Sequence, residues 1–338
     1  MIGLFVIILA AFGCVNGADI CDGKSNDWVS LPSMPKPTGE CGSVTMINDK
    51  LYVAGEANED TFVYDFNTNK WDTVAFRLYP GNHQSSQVIN GIWYLIGGID
   101  EHSYGKIQTY DPNTNKWTEK ASMPNGYDGG SVQTVYWNNT DSIYACGGII
   151  GFNNGTNKGG TGTTDQCARY AVGEDKWYQD IPKMPQGINH GATSLKVDTN
   201  EMWIFGGRGG KNVPSDGYNI VQVLNLETKA WKTSNNDNNI KPMPVGRGGT
   251  GVSIYSNNKF YIFGGETKDN PGGYATNNLV YNRTDIYDVS SNTWISGAVM
   301  PVPRHGIYPV LKDNAIYIAA GGVHNGWSYN GTFDAYCI

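Results

Sequence analysis

Six short apolar runs recur along the chain, each closed by small residues: LYVAGE (51–56), WYLIGG (93–98), IYACGG (143–148), MWIFGG (202–207), FYIFGG (260–265) and IYIAAGG (316–322). They are rich in β-branched and aromatic residues and bounded by Gly or Asn, which predicts strands. A second polar-apolar signature follows the runs. Tyr64-Asp65, Tyr110-Asp111, Tyr170-Ala171, Leu224-Asn225 and Tyr287-Asp288 each precede a Trp at 71, 117, 177, 231 or 294, and Trp28 opens the series. The pattern is copied most faithfully in YDFNTNKW (64–71) and YDPNTNKW (110–117). Met-Pro pairs at 34–35, 123–124, 184–185, 243–244 and 300–301 lie beyond most of the Trp residues, with Tyr79-Pro80 in the second unit.

The repeated order predicts a unit of four antiparallel strands. Strand a follows Met-Pro, b ends at Gly-Gly, c ends at Tyr-Asp and d begins at Trp. Asn90-Gly91, Asp49-Lys50 and Asn257-Asn258-Lys259 supply tight turns between a and b. Length varies mainly in the b–c loops, such as 149–165 and 266–283. Gly-Gly permits close packing of backbone on a neighbouring sheet, and Tyr and Trp fill the space between sheets. Four-stranded sheets arranged radially leave only short, protected edges. The expected fold is an all-β, six-bladed β-propeller.

This order resembles the kelch repeat, whose period near 50 residues also fits. The resemblance covers almost all of 18–338 and lacks the BTB domain of intracellular kelch adaptors. The last unit offers strand a from Arg304, strand b to Gly322 and strand c over 332–338, but no Trp. Trp28 to Leu31 therefore supplies the missing d strand, and the N-terminal strand completes the last blade. By register Cys21 and Cys337 fall side by side, which predicts a disulfide at the closure. Cys146 and Cys167 are within reach across blade three, and Cys41 is left over on strand a of blade one.

Composition narrows the setting. The 338 residues include 44 Gly, carry a formal charge of −7 and hold no basic stripe, which argues against a nucleic-acid partner. Residues 1–17 are uncharged and apolar as far as Phe12, then turn to small residues, as a secretory signal does; 18–338 is then one propeller domain without a later membrane span. Four sequons, at Asn138, Asn154, Asn282 and Asn330, fit a secreted, extracellular glycoprotein.

Candidate chemistry lies around the channel. His83, His190 and His305 are read as matching positions at the start of strand a in blades two, four and six. Three such imidazoles suit zinc or copper, although His is an ordinary occupant of this place in kelch repeats, and no cofactor is otherwise expected. Arg247 and Arg304 precede equivalent positions and are candidates to receive an anion at the channel mouth, with His305 beside them. Arg208 and Glu266 follow Gly-Gly on the same loop face, and Glu56 replaces the second Gly of blade one. Trp137 and Trp327 are candidate exposed aromatics for stacking on a sugar or a partner.

Among propeller enzymes, the crosslink and extra domain of galactose-oxidase-like proteins and the iron-holding run of plant specifier proteins find no match. The six-bladed, exported sialic acid mutarotases match in size and architecture. The leading expectation is a non-catalytic module that binds an extracellular protein or glycan through its b–c loops. The alternative is a carbohydrate-active enzyme resembling the mutarotases.

Overall fold

The computed structural model describes residues 20–40, 43–56, 60–99, 103–124, 129–150, 162–209, 217–270 and 272–338. The signal-like segment 1–17, Cys41 and the Asn154 sequon lie outside them. Five antiparallel quartets follow one another in chain order. Their a strands are Ser43–Ile47, Ser85–Ile89, Gln133–Trp137, Ala192–Lys196 and Ile254–Ser256. The sixth quartet joins Val310–Lys312, Ala315–Ala319 and Phe333–Cys337 to Asp27–Leu31 from the other end of the chain. The propeller thus closes as the register predicts. One detail differs: residues 304–309 form the turn into the channel, and strand a of blade six begins only at Val310.

The repeated octapeptide is a c–d corner whose residues have separable tasks. Asp65 Oδ1 accepts the Asn67 N–H at 2.8 Å, and Asn69 takes φ 54°, a left-handed conformation that Asn tolerates. Tyr64 Oη then donates to Asn69 Oδ1 at 3.0 Å, and the second copy repeats this with Tyr110 and Asn115 at 2.9 Å. Each Trp pairs with the Tyr or Leu across the strand, from Tyr64–Trp71 to Tyr336–Trp28. The indole N–H also reaches back to the preceding blade. Trp71 donates to Pro32 O, Trp117 to Ala75 O, Trp177 to Ala121 O, Trp231 to Pro182 O and Trp28 to Ala298 O, at 2.8–3.1 Å. The repeat is therefore a stitch between blades as well as a filler.

Six apolar clusters fill the six gaps between neighbouring blades. In the closing gap, Val44, Leu51 and Tyr64 of blade one meet Tyr317, Ala319 and Phe333 of blade six. Close approach requires glycine at Gly264 (φ 54°), where a Cβ would collide with the Arg304 carbonyl of the next blade. Cys21 is bonded to Cys337, tying the N-terminal segment to the last strand, and Cys146 is bonded to Cys167 across blade three. Among the described residues no helix is long and apolar enough to cross a membrane.

Candidate active site

Where the chain enters the a strands of blades two to six it makes a tight turn whose hinge residue has positive φ. His83 (55°), Ser131 (51°), His190 (58°), Gly249 (74°) and Gly306 (60°) occupy this place in blades two to six. Backbone bonds run between these hinges around the channel: Ser131 N donates to His83 O, Gly249 N to His190 O and Gly306 N to Gly249 O, at 2.8–3.0 Å. Two of these left-handed positions carry His, a strained choice of the kind that clusters at functional sites. The turn aims both imidazoles at the channel, where their ring centroids lie 4.8 Å apart.

His305 does not belong to that set. It aligns with Asn82 and Asn189, one residue earlier, as its backbone bridge to Gly322 shows by analogy with Asn189 to Arg208. The expected threefold ring of His83, His190 and His305 is therefore corrected to a pair plus one. Counting from Met-Pro carries the signal: His190 is six residues after Met184, whereas His305 is five after Met300. Gly322 leaves the space that the His305 ring enters, since a Cβ there would meet Nε2.

Glu40 stands between the three rings. Its Oε2 lies 2.7 Å from His83 Nε2 and its Oε1 lies 3.1 Å from His305 Nδ1. The other nitrogen of His83 contacts Asn82 Oδ1 at 2.7 Å, so both ring nitrogens face oxygen acceptors. His305 Nε2 faces the carbonyls of His324 (3.0 Å) and Gly326 (3.2 Å), and Nδ1 also lies 3.6 Å from Glu266 Oε1. Every partner of His305 accepts, which calls for a ring protonated on both sides. Burial opposes that charge, but Glu40 and Glu266 outweigh it and raise the pKa of His305. Burial likewise works against Glu40, yet His83 and His305 hold its carboxyl well below the usual range.

His190 is treated in the opposite way. Nδ1 contacts Asn189 Oδ1, itself anchored through Nδ2 to Thr163 Oγ1 at 2.7 Å, while Nε2 accepts from Arg208 Nη2 at 3.2 Å. Burial and the Arg208 charge push its pKa well below the ordinary value, leaving a neutral ring with its lone pair on Nε2. Arg208 also pairs with Glu266. Glu56 is pushed up to about 7 by burial; it accepts the Gly39 N–H at 3.0 Å and so fixes the backbone that carries Glu40.

Glu40, His83 and His190 line one pocket with Ser131, Gln133 and Gly306. Its enclosed part, about 20 Å³, has room for a hydroxyl group or one water. Two sets, Glu40–His83–His190 and Glu40–Glu266–His305, bring one ligand atom per residue within 4.8 Å and could in principle share an ion. In both, a cation is already present: Arg208 lies on His190 and on Glu266.

The charges predict a distinctive stability profile. His305, raised in the fold, contributes fully below about pH 6.5 and loses that contribution as pH rises through its folded value. His190 and Glu40, both depressed, contribute fully above about 6.5 and 4.5 respectively and lose it as pH falls. On acidification from about pH 7, protonation of Glu56 adds stability down to about 4.5, and against that gain the losses from His190 below 6.5 and Glu40 below 4.5 form two separate steps in urea stability. In His190→Asn the step beginning near pH 6.5 should vanish and the one below pH 4.5 remain; an unchanged first step would assign it elsewhere.

Other sequence candidates sit apart from this centre. Arg247 and Arg304 are sealed inside blades five and six, paired with Asp285 (2.7 Å) and Asp334, so neither guanidinium opens to an anion at the mouth. Trp137 ends strand a of blade three and is buried, its Nε1 donating to Asn200 Oδ1 at 3.1 Å; it offers no exposed stacking face. Trp327 is 60% exposed, as expected. Asn138 is exposed, and Asn282 and Asn330 are half-buried.

Comparison with known proteins adds the family. The KLHDC2/KLHL20/DRC7 Kelch-repeats domain matches residues 149–337, and the Kelch motif matches 82–124. The chain belongs to the kelch-repeat family. This kelch propeller is 30% identical to Kelch-like protein terF of Aspergillus terreus over 95% of its own length and 70% of that protein's. It is 25% identical to Beta-scruin of Limulus polyphemus and 23% identical to human Kelch-like protein 23, spanning 27% and 44% of those longer chains. The solved structure of YjhT shares its fold, with a TM-score of 0.72 over 89% of this chain and 95% of that one at 19% identity.

The geometry overturns the leading expectation of a non-catalytic protein- or glycan-binding module. Binding through loops needs no buried array of Glu, His and Arg converging on a channel pocket, and such an array is costly to hold unless its charges are used or fully paired. The preference for a protein-binding role over catalysis is corrected with it.

Proposed function

We propose that this kelch propeller is an exported enzyme acting on sugars, interconverting the anomers of an acidic sugar as the six-bladed mutarotases it resembles do. One observation carries the reading: two adjacent imidazoles in one pocket have opposite hydrogen-bonding roles. His83 presents a proton toward Glu40, and His190 presents a lone pair. A donor and an acceptor held side by side are how acid and base roles are divided.

In the proposed step the ring C–O bond of a hemiacetal breaks. The ring oxygen takes a proton from His83 Nε2 while the anomeric hydroxyl gives its proton to His190 Nε2, whose lone pair is freed as Arg208 turns to the substrate. A carbonyl forms, the adjacent C–C bond turns, and closure in reverse returns both protons. Arg208, the partly exposed cation of the centre (28%), suits the carboxylate of the substrate. Export is supported by the apolar leader-like segment and by two disulfides, which persist in oxidising compartments.

The test is exchange NMR on the anomers of N-acetylneuraminate and glucuronate with catalytic amounts of protein. Interconversion faster than the spontaneous rate, in proportion to protein added, is the expected result. A rate independent of protein would end the proposal.

A further inference from the structure

The narrow part of the pocket between His83, His190 and Glu40 takes a hydroxyl, and the body of a sugar would extend toward the loop face that carries Arg208 and Glu266. On blade six this face carries the loop 322–328, whose backbone is bonded directly to His305 and Glu266. Gly326 N donates to Glu266 Oε2 at 3.0 Å, and His305 Nε2 faces the carbonyls of His324 and Gly326. Ser328 Oγ donates to His324 O at 2.8 Å. The Ser328 carbonyl packs against Gly39, next to Glu40, so closely that a Cβ there would clash. Trp327 lies between these two anchors and is nonetheless 60% exposed.

An exposed Trp on a mobile loop is common and means little. Here both neighbours in sequence are fixed to the acid–base cluster, and their inward bonds leave the indole facing outward. The blade five loop braces the same turn, with Asn325 N donating to Asn278 O at 3.0 Å. We infer that Trp327 is the platform on which the apolar face of a pyranose ring stacks while its anomeric hydroxyl enters the pocket. His305 is then a positioning residue: it joins Glu40, which faces the reacting group, to the loop that holds the ring. The partner class follows from the chemistry, since a flat indole on the loop that bears on Glu266 and Gly39 matches a ring with one C–H face and hydroxyls at its edge.

The inference rests on the sugar reading of the centre, so its test measures binding and not turnover. Calorimetric titration of the full chain with N-acetylneuraminate and with glucuronate is compared for wild type, Trp327→Ala and Trp327→Phe. Trp327→Ala should weaken binding about tenfold, the loss of roughly 50–60 Å² of stacked apolar surface, and Trp327→Phe should recover most of it. Equal affinity in wild type and Trp327→Ala overturns the inference, as does wild type that binds neither sugar at millimolar concentration. Binding that depends on Trp327 without any acceleration of anomer exchange would support the platform and sink the catalytic reading alone.

Discussion

His83→Asn is expected to slow anomer exchange by roughly 10²–10⁴-fold, the range that removal of a positioned proton donor produces. Asn is the informative replacement because position 83 has φ 55°, and Asn accepts left-handed backbone where Ala or Leu would strain it. The turn should therefore survive and the proton should not. His190→Asn keeps its own left-handed hinge for the same reason and should cost a comparable factor. The double variant should lose much less than the product of the two, because a donor without an acceptor already leaves the step incomplete. Glu40→Gln separates orientation from charge: it keeps one oxygen for His83 but leaves buried His305 without its closest carboxylate. Exchange rates and urea midpoints measured together decide the matter. Two single variants that retain wild-type rates would remove the acid–base assignment, whatever the fold does.

The architecture was legible because it rests on repeated local chemistry. Tyr64, Asp65, Asn69 and Trp71 build a corner with hydrogen bonds inside eight residues, so copies of the corner announce themselves as copies of a string. The closure was legible through register alone, since Trp28 had no partner nearer than Tyr336. The centre was only half legible. His83 and His190 stand out as repeated Asn-His pairs, but Glu40, six residues after Met34 as His190 is after Met184, shares their place without sharing their residue type. Placing Arg304-His305 beside those pairs misread the register by one residue. Residue type also misled: Arg247, Arg304 and Trp137 look like surface chemistry in the string, and only tertiary packing shows their partners Asp285, Asp334 and Asn200. Long-range pairing of unlike residues leaves no periodic trace, which is why function in a repeat protein hides where the copies differ.

Arg304→Met should destabilise the protein by about 3–5 kcal/mol in urea unfolding, the usual cost of removing one member of a buried ion pair. Arg304 has no exposed surface; it donates through Nη1 to Ala320 O (3.0 Å), Thr332 O (3.1 Å) and Thr332 Oγ1 (2.7 Å), and through Nη2 to Asp334. Burial lowers its pKa to about 10, still far above neutral pH, so the guanidinium is charged at every pH where the fold is studied. Met fills much the same volume but leaves the Asp334 carboxylate buried with Ser30 Oγ, 3.0 Å away, as its remaining partner. That hydroxyl belongs to the N-terminal strand, so the lost pair loosens the seam where the two ends of the chain meet. Arg304→Met with Asp334→Leu should recover much of the loss, because an apolar pair of similar volume no longer strands a charge. Recovery of less than about 1 kcal/mol would mean that the carbonyl bonds to Ala320 and Thr332, not the ion pair, hold the sixth blade shut.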